Sequence, residues 1–164
     1  MPAQTTADPR TFAAALPPAG ALLGIDLGTK SIGLAVTDWQ RQVAGPGPVI
    51  RRTKQANDLL ALAEFLSERS ITGIVLGLPL NMDGTPGPGA QRSRAFARTL
   101  EEYFDLPILL HDERLSSEEA TEAMLAAGIP RMKRRTRIDA FAALLILESA
   151  LRALPALDAP PPQP

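Results

Sequence analysis

The stretch Leu22-Leu23-Gly24-Ile25-Asp26-Leu27-Gly28-Thr29-Lys30-Ser31-Ile32-Gly33-Leu34-Ala35-Val36 constrains the fold more than any other in the chain. Two short apolar runs flank a tight turn that carries Gly28, the pattern of two buried strands in a hairpin. Asp26 falls where the first strand ends. An ionised carboxylate there must be paired, hydrogen-bonded or bound to a metal, because bare burial costs several kcal/mol. Two readings are open at this point: a turn residue satisfied by neighbouring backbone N–H groups, or a functional acid.

The remaining segments extend the hairpin into an α/β domain. Val43 to Ile50 is an expected third strand, and Pro46 and Pro48 confine it to an edge. Residues 54–69 carry Leu59, Leu62, Ala63 and Leu66 at helical spacing, and Ile71 to Gly77 is an apolar strand. Strand, helix and strand in succession mark a parallel crossover. A Pro- and Gly-rich loop, Leu78 to Gly89, leads to an expected helix over 90–104. The strand Leu106 to His111 follows and ends in Asp112-Glu113-Arg114. Ser116 to Glu119 fits a capping box for a helix that Gly128 and Pro130 close, and a final apolar helix is expected from Ile138 to Leu154.

Nine of the sixteen prolines lie in residues 1–20 and 155–164, which are therefore expected to be disordered tails. Residues 21–154 suffice for one domain and exclude a second of similar size. The absence of cysteine rules out disulfides and thiolate metal sites and suits the cytoplasm. The run Phe12 to Leu16, interrupted by Pro17 and Pro18, is too short for a membrane span and lacks the form of a signal peptide.

Three acids sit where an element begins or ends: Asp26, Glu113 and Asp139. Parallel crossovers bring the carboxyl ends of their strands to one rim, where open α/β sheets bind ligands. Taken singly, Asp139 suits the N3 position behind a Thr136 N-cap, and Glu113 suits a solvated loop. Taken together, three converging carboxylates repel one another unless a cation neutralises them. Mg²⁺ or Mn²⁺ fits such a set, and two ions about 3.5–4 Å apart would activate water against a phosphodiester without a His or Cys nucleophile. His111, the only histidine, reads as a hydrogen-bonded strand residue, and Trp39 and Tyr103 as packing.

Net charge is −1, yet Arg131, Lys133, Arg134, Arg135 and Arg137 place five of seventeen basic residues within seven positions. They lie before or inside the first turn of the expected final helix, the end that disfavours cations. A solvated loop tolerates this; a docked phosphate would turn it to advantage.

Four segments together resemble the YqgF/RuvX family: Gly24 to Gly33, Val75 to Thr85, Leu110 to Ser116, and Arg137 to Ala140 with Leu145 to Ser149. They occur in family order over residues 22–149. The resemblance implies a ribonuclease H-like fold, a five-stranded mixed sheet flanked by helices. It also implies a divalent-metal phosphodiesterase site at Asp26, Glu113 and Asp139, with Thr29, Lys30, Asn81, Arg114 and Ser116 around the substrate. The family is described both as a Holliday junction resolvase and as a nuclease maturing the 5′ end of pre-16S ribosomal RNA, so the implied partner is branched DNA or structured RNA. Symmetric cutting of a junction would call for a homodimer; trimming an RNA end would not. The proline-rich tails and Gly87-Pro88-Gly89 fall outside the family pattern.

Two rival readings share the first motif. Asp-x-Gly-Thr also opens actin-like and sugar-kinase phosphotransferases, but those close two lobes around ATP and this chain supplies one. The other is a nucleic-acid-binding module on the same fold that cuts nothing.

Overall fold

The computed structural model describes residues 5–113 and 131–155, and over 131–139 the backbone alone. Among these residues six strands form one sheet: β1 (Thr5–Thr6), β2 (Ala21–Leu27), β3 (Ser31–Thr37), β4 (Ala44–Arg51), β5 (Ile71–Leu78) and β6 (Ile108–Asp112). Among the described residues the helices are α1 (Pro9–Ala15), α2 (Gln55–Ser67), α3 (Pro88–Tyr103) and α4 (Arg131–Ala153). The strand order is β1-β6-β5-β2-β3-β4. β2, β5, β6 and β1 run parallel and β3 runs antiparallel to both its neighbours. Without β1 this is the expected five-stranded mixed sheet flanked by helices, built from a β-hairpin meander followed by two crossovers.

The central strands are buried on both faces, which is why they read as unbroken apolar runs. Side chains alternate between two cores. Leu23, Ile25, Ile32, Leu34, Ile74, Leu76 and Ile108 face α2 and α3, meeting Leu59, Leu62, Phe65, Phe96 and Leu100. Leu22, Ala35, Val75 and Leu109 face the other side, against Phe12 of α1 and Ala143, Ile146, Leu147 and Ala150 of α4. Gly24 lets α4 approach closely: a Cβ there would sit 2.8 Å from Leu147 Cβ and 3.1 Å from the Ala143 carbonyl oxygen. Among the described residues no helix is long and apolar enough to cross a membrane.

Two expectations are corrected. Residues 5–20 are not a disordered tail. Thr5 and Thr6 pair with Ile108 and Leu109 on the β6 edge, adding the sixth strand, and the Thr5 hydroxyl bonds Glu101 of α3. Asp8 caps α1 by accepting from the Arg10 amide at 3.1 Å and the Thr11 hydroxyl at 2.7 Å, with Pro9 in the first turn. Phe12 is 0% exposed. Buried Arg41, held at φ +58°, ties the segment after α1 to the sheet. Its guanidinium donates to the carbonyls of Pro17 (3.0 Å) and Gly20 (2.7 Å) and to the Thr72 hydroxyl (3.1 Å).

The final helix, secondly, starts at Arg131 rather than Ile138, so the basic stretch is helical and not a loop, and Asp139 lies in the third turn instead of at N3. Arg, Met and Lys are good helix formers and carry the helix past the local Thr136 cap signal. The capping box at Ser116 to Glu119 and the helix expected behind it lie outside the described residues, as does the C-terminal tail beyond Pro155.

Candidate active site

Because β2, β5 and β6 are parallel and adjacent, their carboxyl ends share one rim. Asp26 is the penultimate residue of β2 and Glu113 immediately follows β6, with β5 between them. Ile25 pairs with Leu76 and His111 with Gly77, so one step further along β2 places Asp26 beside Gly77. Alternation turns Leu22, Gly24 and Asp26 to the α4 side, and likewise Val75 and Gly77, and Leu109, His111 and Glu113.

Glu113 reaches back over the sheet. Its amide donates to the Leu78 carbonyl at 3.2 Å, and its Oε2 occupies the space where a Cβ on Gly77 would stand. That oxygen is buried and has no hydrogen-bond partner among the described residues. Burial pushes the Glu113 carboxyl up to about 7, and the neighbouring charges of Asp26 and Asp112 add to the effect. A buried carboxyl without a donor beside two further acids is a standing cost to the fold. It is also an available oxygen ligand, and a set made only of carboxylates is the ligand chemistry of a hard divalent cation.

α4 crosses this face, with Ala143 and Leu147 over Gly24, Ile146 over Gly77 and Ser149 beside β6. His111 Nε2 and the Ser149 hydroxyl are 2.8 Å apart, and burial lowers the histidine pKa. His111 is therefore a strand residue tied to α4, as its sequence position suggested. Asp139 stands one helical turn before Ala143, about 6 Å along the axis. Its side chain, and those of Arg131, Lys133, Arg134, Arg135 and Arg137, lie outside the described atoms, as do Arg114 and Ser116 altogether. Among the described residues no three His, Cys, Asp or Glu groups form a complete metal cage.

Thr29 and Lys30 are exposed in the β2–β3 turn that follows Asp26. The Gly28 amide donates to the Ser31 carbonyl at 2.9 Å, and a Cβ on Gly28 would press to 2.9 Å from that oxygen, so the turn needs glycine. Arg52, which sequence reasoning missed, holds the turn in place. It donates through a guanidinium nitrogen to the Gly28 carbonyl (2.8 Å) and through its amide to that of Lys30 (2.9 Å). Asp58 of α2, only 2% exposed, lies 3.6 Å from the Arg52 guanidinium and accepts from the Thr53 amide at 3.0 Å. No local pattern announces this role; it arises only because β4 returns beside the hairpin.

The β5–α3 loop is a tight structure. The Asn81 amide donates to the Thr85 carbonyl (2.9 Å), its side-chain amide to the Thr85 hydroxyl (3.0 Å), and that hydroxyl to Asp83 (2.6 Å). Asn81 is exposed, just beyond the end of β5, and Met82 is 85% exposed at the tip.

The RuvX family profile, described as Holliday junction resolvase, matches residues 20–153. The chain is 54% identical over 143 residues to a Rhodobacter capsulatus protein named "Putative pre-16S rRNA nuclease", covering 87% of this chain and 90% of that one. It is 53% identical over 144 residues to a Paracoccus denitrificans protein of the same name, covering 88% and 91%. Among solved structures, Thermus thermophilus RuvC in complex with a Holliday junction substrate aligns at a TM-score of 0.45 and 15% identity, over 77% of this chain and 91% of that one. The matched profile spans the hairpin, the crossovers and α4, and the chain belongs to the RuvX family.

Proposed function

We propose that this protein is a divalent-metal-dependent nuclease that hydrolyses phosphodiester bonds, with the 5′ end of pre-16S rRNA as its first candidate substrate and four-way DNA junctions as the second. The observation that carries the reading is Glu113 Oε2, buried without a hydrogen-bond donor beside Asp26. Neither a structural role nor a solvated one explains a carboxylate held there at such expense. The names of the relatives, at about half identity over most of the chain, point to the RNA substrate; the family description points to the junction.

Asp26, Glu113 and Asp139 are the residues assigned to hold Mg²⁺ or Mn²⁺, most simply as a two-ion site. Bound there, such ions supply an activated water and offset the charge that builds on the leaving oxygen. The rest is the work of the chain. Thr29 and Lys30 on the braced turn, Asn81 on the β5–α3 loop, and Arg114 and Ser116 after β6 are assigned to positioning the substrate backbone. The basic start of α4 is assigned to neighbouring phosphates. Activity on rRNA calls for a cytoplasmic protein, and a two-fold dimer is needed only for symmetric junction cutting. The phosphotransferase alternative is not favoured.

The test presents one preparation with a pre-16S leader RNA and a four-way junction side by side, with Mg²⁺, with Mn²⁺ and with chelator. Cleavage should require the metal, and Asp26→Asn should abolish it while leaving the fold and most nucleic-acid binding in place. A fully active Asp26→Asn protein, or cleavage indifferent to chelator, overturns the assignment.

A further inference from the structure

The middle strand of the site contributes no acid, and its contribution is an absence of side chain. Gly77 lies on β5 between Asp26 on one neighbour and His111 on the other, on the face turned to α4. A Cβ added there would clash with Glu113 Oε2 and would come within 2.7 Å of Ile146 Cδ1. Gly77 does not have a positive φ, so the backbone does not demand glycine. The demand is for space, and the space is filled by the Glu113 carboxyl group. We propose that Gly77 is a positioning residue for the metal site: the hollow left by its missing Cβ seats the Glu113 carboxylate over the sheet, next to Asp26. This rests on the nuclease reading above.

Both atoms in conflict with a Cβ at position 77 are the far ends of flexible side chains. The fold can therefore absorb alanine by letting Glu113 swing out toward solvent, which also relieves the burial of its carboxyl group. The site cannot absorb it, because the displaced carboxylate no longer stands beside Asp26. Gly77→Ala thus separates stability from function: the protein stays folded and loses its hold on the cation. Gly24 makes the contrast. A Cβ there meets the Leu147 Cβ and the Ala143 carbonyl, parts of α4 that cannot rotate away.

The experiment measures Mn²⁺ binding by titration calorimetry on the full chain, alongside thermal melting and cleavage, for wild type, Gly77→Ala, Glu113→Ala and the double variant. Gly77→Ala should melt close to wild type and bind Mn²⁺ roughly 10- to 100-fold more weakly, the range for supporting groups around a metal. In the Glu113→Ala background the same substitution should cost nothing further, since the group it displaces is gone. Ile146→Val deletes the Cδ1 methyl; if Gly77→Ala alone folds poorly, Gly77→Ala/Ile146→Val leaves Glu113 as the sole conflict and is read the same way. Wild-type affinity in Gly77→Ala overturns the proposal, as does an equal loss with and without Glu113. A wild-type protein that binds no Mn²⁺ and cuts neither substrate instead overturns the nuclease reading itself, and this inference with it.

Discussion

On the nuclease reading, Glu113 concentrates the conflict between stability and function in a single side chain. Its carboxyl holds a proton up to about pH 7, because burial first, then Asp26 and Asp112, disfavour the charged form. In the unfolded chain the proton leaves near 4.5. Between those values the folded state binds more protons than the unfolded one, so raising the pH costs stability. The contribution is full below about 4.5 and lost as pH climbs through 7, worth on the order of 3 kcal/mol at about 1.4 kcal/mol per pH unit. Melting of the metal-free protein across pH 4.5 to 8 should show this decline, and Glu113→Gln, which carries no charge to bury, should flatten it. At pH 8 the variant should melt higher than wild type while cutting nothing. Added Mg²⁺ should raise the wild-type melting temperature by linkage and leave the variant unmoved. A variant that is less stable than wild type at pH 8 would mean that the carboxylate is well solvated in the fold.

At the scale of elements, the instructive case is the arm formed by β1 and α1. It lies before the residues matched by the family profile, yet Phe12 is buried among Leu22, Val75 and Leu109, and α1 extends the packing of α4 along that face. Phe12→Ala should cost about 3–5 kcal/mol in urea unfolding, the range for emptying a buried aromatic site. Cleavage measured well below the melting temperature should be unaffected. A loss under about 1 kcal/mol would make the arm a loose appendage. The four prolines of this segment led to the expectation of disorder, although Asp8-Pro9 is the ordinary opening of a short helix. The central strands were legible because burial on both faces leaves an unbroken apolar run. β4 was legible as an edge because Pro46 and Pro48 allow little else. The start of α4 was not, since a Thr cap and a run of good helix formers give opposite signals and length decided. Of the candidate site, the place of Asp26 at a strand end was legible. The burial of Glu113 could not, because it depends on a glycine in a different strand.

Across the whole molecule, charge is nearly balanced but unevenly placed. The rim formed by β2, β5 and β6 carries Asp26, Asp112 and Glu113, a face that repels a polyanion until cations neutralise it. Five basic residues occupy the first two turns of α4, the helix that also carries Asp139, and the first turn contains no acid. The partial positive charge of a helix N-terminus opposes such clustering, so an anion bound there gains from both the side chains and the backbone dipole. On the nuclease reading that anion is substrate phosphate, held in a way indifferent to base sequence. Binding of the uncleaved substrate by the Asp26→Asn protein, followed as a function of salt, isolates this effect. Replacing Arg134 and Arg135 by alanine in that background should weaken binding uniformly across sequences. It should also flatten the slope of log K against log salt by roughly 0.7–0.9 for each phosphate no longer neutralised, the higher figure on duplex and the lower on single strands. The slope on each substrate then reports how many phosphates the helix start engages, so a larger change on the junction than on the leader would mark the duplex arms as what α4 grips. A slope unchanged on both would remove the start of α4 from the binding surface and leave the backbone to the positions assigned around the rim, Thr29, Lys30, Asn81, Arg114 and Ser116.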